Sequence, residues 1–228
     1  MTEQHFLRHF PFFQDLEDED LAKLAPLFLT RTYDKGTNIF REGQAGEELY
    51  IIKSGVVKIY RDDEVRDIIL AIFRDGDFFG EMAVLENEQV RSASAKTMEK
   101  TVVYYLTRRD FVALLEQNPK ISWRILETAL DRLRKANELI TDLTLLDVRT
   151  RIIKMMLRLT EKHGVMQKTG ILIDLKLTHQ QIADMTGTVR ETVTKVLLDL
   201  QNQDFIQIKK KKILICNLAE IERLVETS

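Results

Sequence analysis

Cys216 is the one cysteine among 228 residues. A lone thiol cannot close an intrachain disulfide, and an iron–sulfur cluster ordinarily asks for four thiolates. Its position in the apolar run Ile213-Leu214-Ile215-Cys216 marks it as a buried strand residue. Histidine is scarce too, and His5, His9, His163 and His179 show no metal or haem ligand spacing. No apolar stretch approaches the ~20 residues that span a bilayer. Met1-Thr2-Glu3-Gln4-His5 does not open a basic-then-apolar leader, so the chain is expected to stay in the cytoplasm with no membrane partner. Paired carboxylates, metal-ligand spacings and nucleophile triads are missing as well. No catalytic or metal site is expected, and an enzyme is the least favoured class.

What is present is a globular composition, 44% hydrophobic and 31% charged, long enough for one large domain or two ordinary ones. The formal net charge is only −2, but it is unevenly spread. Asp15 to Asp20 holds five acidic residues, whereas Lys209 to Lys212 is four consecutive lysines. A basic pole can attract phosphates despite an acidic total.

From Phe28 to about Leu106, short apolar or alternating pieces (Ile39-Phe40, Leu49 to Ile52, Val56 to Tyr60, Ile68 to Phe73, Val102 to Leu106) are punctuated by glycines. They predict a rolled antiparallel β domain with a tight hairpin at Lys53-Ser54-Gly55. Asp18 to Leu27 reads as a helix, and Phe6, Phe10, Phe12 and Phe13 supply apolar mass to pack on the roll. A Thr-x-x-Asp cap starts a helix over Thr107 to Asn118, stopping before Pro119. From Lys120 to about Leu146, Leu126, Leu133 and Ile140 recur every seven residues with Ala129, Ala136 and Leu143 interleaved. This is an a/d seam suited to a parallel homodimer, or else the face of an ordinary long core helix. Asp147 caps a further helix from Val148 to about Glu161 with Ile152, Ile153, Met156, Leu157 and Leu159 inward. The expected domains are a β roll over 1–118, a dimerisation helix over 119–146 and a winged helix-turn-helix over 147–228.

The segment Leu177 to Leu200 carries two capping-box patterns, Thr178 with Gln181 and Thr188 with Glu191, around a turn at Met185 to Gly187. Ile182 and Met185 should face inward from the first helix, and Val193, Val196, Leu197 and Leu200 from the second. The opposite face carries Val189, Arg190, Thr192, Thr194 and Lys195. Arg190 suits guanine O6 and N7, Glu191 suits cytosine N4, and Thr188, Thr192 and Thr194 suit phosphate or a thymine methyl. Thr178, His179 and Gln180, at the start of the first helix, are candidate DNA contacts too. The competing reading is a helical hairpin with solvated charges. A strand at Ile171 to Leu175 precedes the pair, and a hairpin of Phe205 to Ile208 with Ile213 to Cys216 follows it. That hairpin presents Lys210 at a wing tip able to reach double-stranded DNA, unless the lysines form only a solvated turn.

One more segment has chemical content: Asp75-Gly76-Asp77-Phe78-Phe79-Gly80-Glu81-Met82-Ala83, followed by Arg91-Ser92-Ala93. A turn of backbone amides with Arg91 and Ser92 could hold a phosphate, and Glu81 a ribose hydroxyl. A surface turn with a Glu81–Arg91 salt bridge is the alternative.

From about Phe10 to Cys216 the chain resembles the CRP/FNR family of bacterial transcriptional regulators. Three features stand in the family's order: Gly80-Glu81-Met82-Ala83 through Arg91-Ser92, the long helix ending in Leu146-Asp147-Val148, and Arg190-Glu191-Thr192-Val193. The resemblance implies an α+β fold with a cyclic-nucleotide-binding roll, a dimer helix and a winged helix-turn-helix. It implies that Gly80, Glu81, Met82, Ala83, Arg91 and Ser92 grip a cyclic phosphate and ribose, helped by Arg132 on the long helix. It also implies that Arg190, Glu191 and Lys195 read bases in a TGTGA-like palindrome, and that RNA polymerase is a partner. Where cyclic-AMP-binding members carry adjacent threonine and serine, this chain has Ala136 and Asn137; only Asn137 can hydrogen-bond to a nucleobase through its side chain. Cyclic AMP is the first choice of effector, with cyclic GMP, another small effector or none left open. The iron–sulfur branch is disfavoured. The rival functions are an effector-independent regulator and a cyclic-nucleotide-binding module acting through protein contacts.

Overall fold

The computed structural model describes Arg8, Phe10, Phe13, Gln14 and residues 17–63, 66–86 and 88–226. The chain divides into two compact units, Met1–Leu133 and Arg134–Ser228.

The first unit opens with α1 (Asp18–Leu24), a 3-10 turn (Ala25–Leu27) and β1 (Leu29–Tyr33). Next come β2 (Asn38–Phe40), β3 (Glu48–Ser54), β4 (Val57–Asp62), β5 (Asp67–Phe73), β6 (Phe78–Phe79), α2 (Glu81–Leu85), β7 (Ser94–Thr97), β8 (Thr101–Thr107) and α3 (Arg108–Gln117). The strands form two four-stranded antiparallel sheets, ordered β1-β8-β3-β6 and β2-β7-β4-β5. The hairpin expected at Lys53-Ser54-Gly55 is therefore a correction, because β3 and β4 lie in different sheets and Gly55 carries the chain between them. Gly55 has φ +115°, and a Cβ there would lie 2.5 Å from Thr101 Oγ1, so the crossing needs a bare backbone.

Alternation along β3 sorts two cores. Leu49 and Ile51 face a helical layer with Phe10, Phe13, Phe28, Phe111 and Ile121, while Tyr50 and Ile52 join Phe79, Ala95 and Val103 between the sheets. Phe10 and Phe13 thus pack as expected; Phe6 and Phe12 lie outside the described residues. The Thr107 cap is present, its hydroxyl accepting from Asp110 N at 3.2 Å.

The long helix α4 (Pro119–Leu145) runs through the division between the units. Its buried Ile121 and Ile125 serve the first core, whereas Leu126, Leu130, Leu133, Ile140 and Leu143 are exposed, Ile140 to 62%.

The second unit holds the end of α4, then α5 (Val148–His163), β9 (Gly164–Gln167), β10 (Gly170–Ile173), α6 (His179–Thr186), α7 (Arg190–Asn202), β11 (Ile206–Lys209), β12 (Lys212–Ile215) and α8 (Leu218–Glu226). The strands pair in the order β11-β12-β10-β9. Asp147 caps α5, accepting from Thr150 N at 2.8 Å, which holds its carboxyl below the usual range. Cys216 is corrected: it is half-buried, one residue past β12, and burial pushes its thiol up. The exposed strand β9, with a burial pattern that never turns inward, had no alternation by which to be read.

Candidate functional site

The loop segment singled out in the first unit is built around a buried arginine. Gly80, at φ +85°, directly follows β6 and is the N-cap residue of α2, so the turn of amides expected in the segment ending at Ala83 passes into a short helix. Arg91 is only 4% exposed. One terminal nitrogen donates to Gly80 O at 2.9 Å and the other to Glu48 O at 2.8 Å. The guanidinium lies 4.1 Å from the centre of the Phe40 ring and 5.7 Å from that of Tyr50. Side chains are excluded around it: a Cβ on Gly46 would come 2.6 Å from Arg91 Nε, and one on Gly80 would come 2.7 Å from its terminal nitrogen. Burial pushes the Arg91 pKa down, the neighbouring Tyr50, Glu48 and Glu81 opposing it. Its Nε is buried without a hydrogen-bond partner.

Glu81 does not pair with Arg91. It accepts from Arg132 at 2.9 Å, and the other arm of Arg132 donates to Phe78 O at 2.6 Å. The Arg132 guanidinium also lies over the rings of Phe78 and Phe73, at 4.4 and 4.6 Å. Met82 and Ser92 are exposed and meet at 3.5 Å, while Ala83 is buried. The fold thus brings together Gly80, Glu81, Met82, Ala83, Arg91, Ser92 and Arg132; Asn137 belongs to the second unit and is exposed. Sequence reading missed Phe40, Gly46, Glu48 and Tyr50. They stand 41 to 51 positions before Arg91 and carry no local motif.

In this set the unpartnered Arg91 Nε fits an anionic oxygen, and the exposed Ser92 hydroxyl and the Glu81 carboxylate add a donor and an acceptor. The chemistry suits a cyclic phosphate with its ribose.

In the second unit, α6 has its capping box: Gln181 N donates to Thr178 Oγ1 at 3.1 Å, and Thr178 N donates to Gln181 Oε1 at 2.9 Å. The second box is corrected. Thr188 N still closes the preceding helix on Ala183 O at 3.1 Å, and extended Val189 is the N-cap of α7. Glu191 is therefore the second helical residue, one place short of the capping position. Met185 is also corrected, being half-buried at the edge of an inward face made by Ile182, Ala183 and Thr186.

Arg190, Glu191, Thr194 and Lys195 are exposed together on α7, with Val189 exposed at its N-cap. Thr194 is partly engaged, since His179 Nδ1 lies 2.8 Å from its hydroxyl, which also donates to Arg190 O at 2.9 Å. Gln180 donates to Asp184 at 2.8 Å. The β11–β12 turn places Lys210 and Lys211 at φ 52° and 66°. Between α6, α7 and this turn lies a cleft of about 480 Å³, bordered by His179, Arg190 and Lys211 over Leu177, Leu197 and Ile213. Lys212 pairs with Asp174.

A cyclic nucleotide-binding domain model matches residues 30–118, and a Crp-like helix-turn-helix domain model matches residues 150–224. The CRP-like cAMP-activated global transcriptional regulator of Mycobacterium tuberculosis (strain ATCC 25618 / H37Rv) is 31% identical over 212 residues, 92% of this chain and 94% of its own. The chain belongs to the CRP/FNR family of transcriptional regulators. The anaerobic regulatory protein of Bacillus subtilis (strain 168) is 32% identical over 206 residues, 90% of this chain and 87% of its own. The fold is also that of a CooA variant from Carboxydothermus hydrogenoformans, with TM-score 0.78, 23% identity and 93% of both chains covered. CRP/FNR relatives are regulators and not enzymes, so the roll is a ligand-binding domain and the second unit a DNA-binding one. Among the described residues no helix is long and apolar enough to cross a membrane.

Proposed function

We propose that this CRP/FNR regulator binds cyclic AMP in its β roll, dimerises through α4 and recognises a TGTGA-like palindrome in double-stranded DNA. The domain limits proposed are 1–118, 119–146 and 147–228, with the protein acting in the cytoplasm alongside RNA polymerase.

The observation that carries the reading is the exposure of Arg190, Glu191 and Lys195 on the opening turns of a helix whose opposite side, Val193, Leu197 and Leu200, is buried. A helix entering the major groove from its N-terminal end presents such side chains to base edges. Thr178, His179, Gln180, Thr188, Val189 and Thr194 would line the same face, with Lys210 on the flanking phosphates. In the roll, Arg91 and Ser92 would hold the phosphate, and Glu81, oriented by Arg132, the ribose; Met82 and Ala83 shape the loop. Asn137 would offer a donor and an acceptor to the base. A cyclic nucleotide supplies the anion and the ribose hydroxyl that these groups lack. The exposed apolar seam of α4 supports a dimer, because water disfavours so continuous an apolar stripe.

A second reading, an effector-independent regulator, is favoured by one observation: both terminal nitrogens of Arg91 are already held by main-chain carbonyls. The M. tuberculosis relative is named cAMP-activated and the B. subtilis one an anaerobic regulator, so similar identities do not choose between effectors. Isothermal titration with cyclic AMP and with cyclic GMP, followed by selection of bound duplexes from a random pool with and without the ligand, tests both. Saturable cyclic AMP binding that sharpens selection of a TGTGA-like palindrome supports the first reading. Equal selection without nucleotide supports the second.

A further inference from the structure

The second unit contains an ionic mount that no motif announced. Asp142, near the end of α4, is 4% exposed, and its carboxylate accepts from Lys154 Nζ at 2.6 Å and pairs with Arg158. One turn before Lys154 on α5, Arg151 donates from Nε to Thr186 O at 3.0 Å and from a terminal nitrogen to Leu146 O at 2.8 Å. Thr186 ends α6 and Leu146 directly follows α4, so one guanidinium satisfies carbonyls at two helix ends, where cations are favoured. Gly187, in the turn between α6 and α7, sits so close to Leu143 of α4 that a Cβ on it would lie 3.0 Å from Leu143 Cδ2. Arg149, at the start of α5, pairs with Asp199 of α7. Four cations of α5 thus tie the end of α4 to α6 and to the recognition helix, and Leu143 packs against the turn between them.

We propose that Asp142 and Arg151 are positioning residues that fix the recognition helix relative to the end of α4, and so set which half-site spacing a dimer accepts. This rests on the reading of the protein as a DNA-binding dimer. Two recognition helices read a palindrome only when their separation matches the helical repeat of the duplex. A hydrophobic contact alone permits sliding, whereas a buried carboxylate between two cations and a guanidinium bridging two carbonyls have one satisfied arrangement.

The test uses the full chain and three duplexes: a selected palindrome, the same palindrome with one base pair added between half-sites, and a single half-site. The wild type should prefer the native spacing by about tenfold or more in Kd. Asp142→Asn, Arg151→Met and the double variant Lys154→Met/Arg158→Met should each reduce that preference to about two- to threefold, leaving half-site affinity within about twofold. A merely stabilising role would instead weaken all three duplexes alike. If Asp142→Asn fails to fold by circular dichroism, the double variant, whose side chains are one-third exposed, decides. Unchanged spacing preference in the folded variants overturns the proposal. A wild-type chain that binds no duplex overturns the DNA-binding reading itself.

Discussion

Leu177 N donates to Lys211 O at 2.9 Å, tying the β11–β12 turn to the residue immediately before the cap of α6. The wing is therefore held against the start of the helix-turn-helix, and its Lys211 borders the same cleft as Arg190. Lys210 and Lys211 both adopt positive φ, the conformation of a two-residue turn that favours Asn-Gly. Two lysines there trade turn stability for charge, a local conflict expected at functional positions.

Replacing Lys210→Asn with Lys211→Gly should relieve left-handed strain and stabilise the chain to urea by about 1 kcal/mol. DNA affinity should fall for specific and scrambled duplexes alike, with the log–log salt slope smaller by about two. Fluorescence anisotropy across a salt series reads both. An unchanged slope would take the wing off the phosphates.

Arg190→Ala should act differently, because a bidentate contact to guanine is worth about 1 to 3 kcal/mol of discrimination. The gap between a TGTGA-type palindrome and scrambled DNA should narrow while nonspecific binding changes little. Equal losses on both duplexes would make Arg190 a phosphate contact.

Arg91→Ala is a poor probe of the roll, since it removes a buried side chain that donates to two main-chain carbonyls and should cost about 1 to 3 kcal/mol of stability. Ser92→Ala removes an exposed hydroxyl and should leave the urea midpoint within error. Cyclic AMP affinity by calorimetry should then drop about fivefold, the worth of one hydrogen bond of about 1 kcal/mol. Unaltered affinity would exclude the Ser92 hydroxyl from the site.

Leu133→Asp puts a charge in the middle of the exposed seam of α4, and in a dimer it would set two carboxylates face to face. Sedimentation at micromolar concentration should show monomer. A persisting dimer would move the interface off this stripe.

Asp147→Ala should cost the second unit about 1 kcal/mol at neutral pH, the usual worth of an N-cap. The Thr150 N–H depresses the Asp147 pKa, so its stabilisation is present above the ordinary carboxylate range and fades as pH falls through the depressed value. Urea midpoints of wild type and variant should therefore converge in acid. A constant difference down to pH ~2 would show that the cap's charge contributes nothing.

Where a side chain caps the helix that begins beside it, the local sequence determined the outcome. Thr107 with Asp110, Asp147 with Thr150 and Thr178 with Gln181 lie within one helical turn, so three helix starts follow from side chains that can reach their own backbone. The seam of α4 follows from a seven-residue period. Tertiary structure decided what depends on distant partners. Leu49, Tyr50, Ile51 and Ile52 are all apolar, so alternation could not say which face met helices and which the second sheet, nor that β3 and β4 part at Gly55. Val189 in place of Thr188 caps α7 because the chain leaving Gly187 is still bonded to Ala183. The burial of Arg91 depends on carbonyls at 48 and 80 and on rings at 40 and 50. Only Gly80 stands near Arg91 in sequence; the carbonyl at 48 and the rings at 40 and 50 reach it only through the closing of two sheets.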